Sequence, residues 1–151
     1  MKTLVAYFSK SGVTGECAKK IAEILGADTF EIKTEKQYPP GFIKTIKVCR
    51  KEMNSGERPA LVGSVPNFDE YDRVFIGFPV WFGTCPMAIV SFLEQYDWSG
   101  KDIYPFCTST STGIKAGETD IAKYTGQNVH QGLRMKNIKS LDEEEIRRWA
   151  L

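Results

Sequence analysis

Apolar residues fall in short unbroken runs separated by stretches of helical period, and that alternation sets the expected architecture. Thr3-Leu4-Val5-Ala6-Tyr7-Phe8 is a continuous β-prone run closed by Ser9-Lys10-Ser11-Gly12, the pattern of a strand buried on both faces. From Thr14 onward Cys17, Ala18, Ile21, Ala22 and Leu25 recur at helical spacing, and Gly26 stands where a C-terminal cap belongs. Asp28 to Lys33 alternates as a second strand, with Phe30 and Ile32 on one side, before Pro39-Pro40-Gly41 breaks the chain. Phe42 to Met53 predicts an amphipathic helix, apolar at Ile43, Ile46 and Met53, with Lys44, Lys47, Arg50 and Lys51 on a solvated outer face.

Asn54 to Asn67 carries the glycines and prolines of a long irregular connection. Arg73 to Phe78 predicts a third strand, and Pro86 opens a helix bearing Ile89, Val90, Phe92 and Leu93. Asp102 to Cys107 predicts a fourth strand, in which Pro105 is ill suited to a ladder. Lys115 to Tyr124 predicts a helix, Asn128 to Leu133 a fifth strand, and Leu141 to Leu151 a last helix with Asp142, Glu143 and Glu144 in its first turn. Strands alternating with helices require parallel pairing through right-handed crossovers. The expected fold is therefore α/β, a doubly wound sheet of about five parallel strands with helices on both faces.

Length and composition fit one domain over residues 1–151: 42% of the residues are hydrophobic and 26% charged. Twenty Lys and Arg against nineteen Asp and Glu leave a net charge of +1, which disfavours a general nucleic-acid or membrane-surface binder. No apolar run approaches the roughly 18–20 residues of a membrane span. Met1-Lys2-Thr3 leads into a strand and not into a signal peptide, so the expected compartment is the cytoplasm. Cys17, Cys49, Cys85 and Cys107 form no C-x-x-C pair, which argues against zinc or a thioredoxin-type centre and for small apolar fillers. The single histidine, His130, excludes mechanisms that need two imidazoles and reads as a polar residue near a strand end.

In an open parallel sheet, ligands sit beyond the carboxyl ends of the strands at a topological switch point. After the first strand, Ser9, Lys10, Ser11, Gly12, Val13 and Thr14 place hydroxyls and a glycine at the amino end of a helix, where free N–H groups favour a phosphate. The segment is neither a Walker A loop nor a dinucleotide fingerprint, and by itself it is also compatible with ordinary helix capping. After the third strand, Pro79, Val80, Trp81, Phe82 and Gly83 set two large aromatics at a strand end, which a flat conjugated ligand would explain and the closing of one end of the core would explain less well. After the fourth, Thr108, Ser109, Thr110, Ser111, Thr112 and Gly113 supply hydroxyls suited to a polyol chain or the carbonyl edge of a heterocycle. A phosphate cradle, an aromatic clamp and a polar loop at neighbouring strand ends together describe a mononucleotide with a flat redox ring, FMN.

The sequence resembles the flavodoxins, in particular a short group with Y-F-S-x-[ST]-G-x-T near the start and G-x-P-[IV]-W-[WF]-G midway. The matching stretches are Tyr7 to Thr14, Gly77 to Gly83, Phe92-Leu93-Glu94 with Gly100-Lys101, and Pro105 to Ser109. The resemblance implies strand order 2-1-3-4-5, a fold that is itself a standard instance of the switch-point rule. It further implies that Ser9, Ser11, the Val13 N–H and Thr14 hold the phosphate, that Pro79 to Gly83 line the ring, and that Thr108 to Gly113 complete the pocket. Three departures stand out: Val13 replaces a usual Asn, Thr110-Ser111-Thr112 replaces a glycine-rich run, and the chain is nearly neutral where flavodoxins are commonly acidic. The first functional reading is an electron carrier, a monomer passing electrons from a reductase to an acceptor protein, with no nucleic-acid or membrane partner. An FMN-dependent NAD(P)H or quinone reductase and a flavin-free binding module on the same scaffold stay open beside it.

Overall fold

In the computed structural model, residues 2–81, 83 and 85–150 are described, Phe42 by its backbone alone. Strands and helices alternate along the chain: β1 (Thr3–Tyr7), α1 (Val13–Leu25), β2 (Asp28–Glu31), α2 (Phe42–Ser55), β3 (Arg73–Pro79), α3 (Met87–Glu94), β4 (Asp102–Thr108), α4 (Lys115–Thr125), β5 (Leu133–Met135) and α5 (Glu143–Trp149). All pairing in the sheet is parallel, in the order β2-β1-β3-β4-β5. The expected doubly wound fold is what the chain adopts. Short 3-10 turns at Phe68–Glu70 and Ile138–Ser140 were not foreshadowed by the sequence pattern.

Alternation along each strand divides the interior into two layers. Leu4, Ala6, Val74, Ile76, Phe78, Ile103 and Cys107 pack under α3 and Ile121 of α4. Val5, Tyr7, Phe75, Tyr104, Phe106 and Met135 pack under Cys17, Ala18 and Ile21 of α1 and Ile146 of α5. Phe75, Phe78, Phe92 and Phe106 are fully buried, each contributing about 1.5–3 kcal/mol of transfer free energy. Gly77 makes room for one of them: a Cβ there would lie 2.1 Å from Phe106 Cζ.

The expected fifth strand is shifted. Pairing begins only at Leu133, opposite Phe106, and not at Asn128. The reason lies in Pro105. The Ile103 carbonyl accepts from the His130 N–H on the β5 side, at 2.9 Å, so by alternation the Pro105 nitrogen faces that side too and offers no proton. A ladder can form only beyond it, and the proline costs β4 nothing on the β3 side, where Ile76↔Pro105 keeps register. His130 is structural, as expected: its ring lies parallel to Tyr104 at 4.1 Å and its Nε2 is 3.2 Å from Asp102.

Other boundaries move as well: β2 stops at Glu31 and not at Lys33, and α5 begins at Glu143 and not at Leu141. β3 and β4 run one residue further than expected and end in register at Pro79↔Thr108. Ile43, expected on the apolar side of α2, is 70% exposed, because the inner face is instead formed by Thr45, Cys49 and Glu52. All four cysteines are buried, and burial pushes the thiols of Cys17 to about 11 and of Cys49 and Cys107 to about 12. These three stay protonated at neutral pH, as fillers should. No helix among the described residues is long and apolar enough to cross a membrane.

Candidate functional site

The first loop is organised by its own first residue. Ser9 Oγ accepts from the N–H groups of Gly12 and Gly15, both at 3.1 Å, and so folds the turn back on itself. Gly12 is the N-cap of α1 at φ 96°, a left-handed conformation that glycine adopts without a side-chain penalty. The first helical bond is Glu16 N–H to the Gly12 carbonyl, 2.9 Å. This leaves the N–H groups of Val13 and Thr14 with no acceptor among the described residues, at the positive end of the α1 dipole. An anion is the ligand such a pair favours. Val13 takes part through its backbone, so the identity of its side chain does not remove the donor.

Thr14 is buried, and its hydroxyl lies 2.7 Å from that of Thr108 at the end of β4. One hydroxyl gives its proton to the other, and the remaining proton is free to reach an acceptor. The third loop is thus joined to the first by its first residue, which belongs to the strand. Beyond it, Ser109 N–H donates to Met135, the Arg134 guanidinium donates to the Ser109 carbonyl, and Ser109 Oγ donates to the Thr112 carbonyl. Thr110, Ser111, Thr112 and Gly113 are exposed, and among the described residues no hydrogen bond joins them to the first loop.

Across the first loop stands Trp81. Val80 N–H donates to the Thr108 carbonyl at 3.2 Å, tying the second loop to β4. The half-buried indole meets Phe8 at 5.4 Å and 89° and Tyr38 at 5.3 Å and 72°, so both rings buttress it edge to face and neither lies parallel to it. Lys10, Ser11, Pro79 and Trp81 line one cleft of about 320 Å³ together with Gly41 and Thr45. Gly83 turns the chain at φ 79° just after it. Phe82 lies outside the described residues.

A profile of the family described as Flavodoxin matches residues 2–151. The chain belongs to the flavodoxin family. A solved flavoprotein of Lactobacillus acidophilus NCFM, in complex with FMN, is 28% identical, covers 99% of each chain and superposes with a TM-score of 0.83. A candidate flavoprotein from Bacteroides eggerthii is 33% identical at a TM-score of 0.89, covering 98% of this chain and 94% of its own. An Acidovorax ebreus protein named NAD(P)H dehydrogenase (quinone) is 28% identical over 139 residues, 87% of this chain and 68% of its own length.

This flavodoxin-family cleft also contains residues that sequence reasoning missed. Gly41 and Thr45, at the N-cap and in the first turn of α2, line it, and Tyr38, from the connection after β2, flanks it through its contact with Trp81. Thr45 Oγ1 sits 2.9 Å from the Pro39 carbonyl and 2.8 Å from that of Gly41, pinning the start of the helix beside the cleft. Tyr38 OH donates to Glu52, which is 1% exposed and also meets Lys36 Nζ at 2.5 Å. Burial, reinforced by the Glu52 charge, raises the Tyr38 phenol above its ordinary range, so it stays a donor. The one signal available was an aromatic residue set directly before the Pro39-Pro40-Gly41 break. Among the described residues, no cluster of three or more potential metal ligands occurs.

Proposed function

We propose that the chain binds FMN with its phosphate on the first loop and its ring against Trp81, and that it carries electrons between a reductase and an acceptor protein. The observation behind this reading is the pair of unengaged N–H groups at Val13 and Thr14, set in the same loop whose Lys10 and Ser11 share a cleft with Trp81. When bound, FMN supplies the redox chemistry, taking up and releasing electrons. The protein's own residues hold and shield it: Val13, Thr14 and Ser11 donate to phosphate, Trp81 offers a flat wall, and Phe8 with Tyr38 keep that wall in place. Gly12 leaves open space before the loop, since a Cβ there would meet nothing within 4 Å.

Titration with FMN tests the site. The indole fluorescence should be quenched, and Trp81→Ala should weaken FMN more than it weakens inorganic phosphate; equal losses would reduce Trp81 to core packing. A colourless protein that takes up no FMN would leave only the flavin-free module. The Acidovorax relative's name favours a second reading, an NAD(P)H-quinone reductase. Rapid turnover of NADPH with a quinone by the FMN-loaded protein alone would promote it, whereas slow oxidation that a partner reductase accelerates supports the carrier.

A further inference from the structure

The near-neutral total charge conceals one strongly cationic strip. Between residues 42 and 55, Lys44, Lys47, Arg50 and Lys51 are all exposed, and the single acid, Glu52, is buried against Lys36 and Tyr38. Lys44, Lys47 and Lys51 follow one another at i, i+3 and i+7, a single stripe along α2, and none has an ion-pair partner among the described residues. At the cleft end of the stripe stands Ile43, 70% exposed, between Gly41 and Thr45, which line the cleft with Trp81. A shallow depression of about 510 Å³, lined by Lys47, Arg50, Lys51, Asn54 and Ser55, continues the face away from the cleft.

We infer that this face of α2 is the docking surface for an acidic electron-carrier protein, with Ile43 as the apolar contact nearest the cleft. The inference rests on the carrier reading above and gives it a partner class. Unpaired lysines attract a complementary acidic patch before contact and orient it, which raises the association rate and leaves the complex weak enough to part after transfer. An exposed isoleucine at the rim supplies a small desolvated contact where the two redox centres come closest. FMN held in the cleft, once reduced by the reductase, would supply one electron to the partner's oxidised one-electron centre, and no bond is made or broken between the proteins. A nucleic acid is the less suitable occupant, because this strip presents no exposed aromatic side chain among its described residues for bases to stack on.

The test uses FMN-loaded protein with two probes, an acidic [2Fe–2S] ferredoxin and basic cytochrome c, and the variant K44E/K47E/K51E. Wild type should bind the ferredoxin more tightly than the cytochrome, and added salt should weaken the complex as the field is screened beyond about 10 Å near 0.1 M. The triple reversal should weaken ferredoxin binding on the order of tenfold or more and invert the preference, while FMN affinity stays unchanged. Ile43→Ala should weaken the complex without altering its salt dependence. The proposal falls if wild type binds neither probe, prefers cytochrome c, or binds the ferredoxin as tightly after charge reversal. It falls equally if reversal raises the KM for NADPH alone, or if a single-stranded oligonucleotide binds better than the ferredoxin. Failure of the carrier reading shows elsewhere, as wild-type protein that takes up no FMN or turns over NADPH with quinone unaided.

Discussion

The first and third loops are both rich in small hydroxyl residues and stand at the same end of the same sheet, yet they are built in opposite ways. In the first, two of the three hydroxyls are engaged and only Ser11 is exposed: Ser9 gathers two backbone N–H groups and Thr14 is buried against Thr108. In the third, Thr110, Ser111 and Thr112 point to solvent, and only Thr108 and Ser109, at its root, are held. The gaps between strand and helix are nearly equal, five residues against six, so the difference lies in Ser9, whose Oγ draws in the N–H groups of Gly12 and Gly15 and leaves those of Val13 and Thr14 unspent. The number of hydroxyls in a loop therefore says little about a site. What matters is which backbone groups those hydroxyls leave over.

Substitutions can break that contrast. The largest effect is expected where the loops meet. Thr14→Val strands the buried Thr108 hydroxyl and should cost about 1–3 kcal/mol of stability in urea unfolding, together with FMN affinity. Thr14→Val with Thr108→Val should cost clearly less than the sum of the single changes, and strict additivity would show that the hydroxyls are not coupled. Ser9→Ala removes the acceptor from two N–H groups, so a loss of about 1 kcal/mol with weaker FMN binding is the expected outcome, read by thermal melts and titration.

Alkali probes the two layers behind these loops, with Cys17 buried on α1 and Cys107 buried near the end of β4. Folded thiols raised from 9.0 to about 11 and about 12 hold protons that the unfolded chain has already released. Their stabilising contribution is complete below pH 9.0 and is lost as pH rises toward about 11–12. The thermal midpoint should decline across that window, less steeply in Cys107→Ala, and a flat profile would contradict the burial argument. The smallest effect belongs to the exposed third loop. Replacing Thr110 and Ser111 by glycine should change stability by no more than about 0.5 kcal/mol and FMN affinity less than Ser9→Ala does. A larger loss would make this loop a second cradle.

The strands and helices were legible because each carries its own period: Val5 and Leu4 report opposite layers by position alone. Ile43 misled for the same reason, since a period cannot tell which flank of a helix the sheet will cover when the covered flank is Thr45, Cys49 and Glu52. The fifth strand was misplaced by reading its apolar residues without its neighbour, whose Pro105 decides where pairing starts. In the site, the first loop and Trp81 could be read because they stand directly at strand ends. Gly41 and Thr45 could not, since they reach the cleft from the start of α2, beyond a long connection after β2, and Tyr38 in that connection touches it only through Trp81.

The contact between Thr14 and Thr108 spans 94 positions of the chain. Closing a loop of that length is slow compared with forming a helix, and β4 joins the sheet only through β3. The junction of the first and third loops thus forms late, only once β1, β3 and β4 are side by side. On a ribosome, a nascent chain could not retain cofactor until most of the polypeptide had left the exit tunnel. Cofactor uptake would then serve as a timer for the end of folding, and added FMN should slow unfolding far more than it speeds refolding.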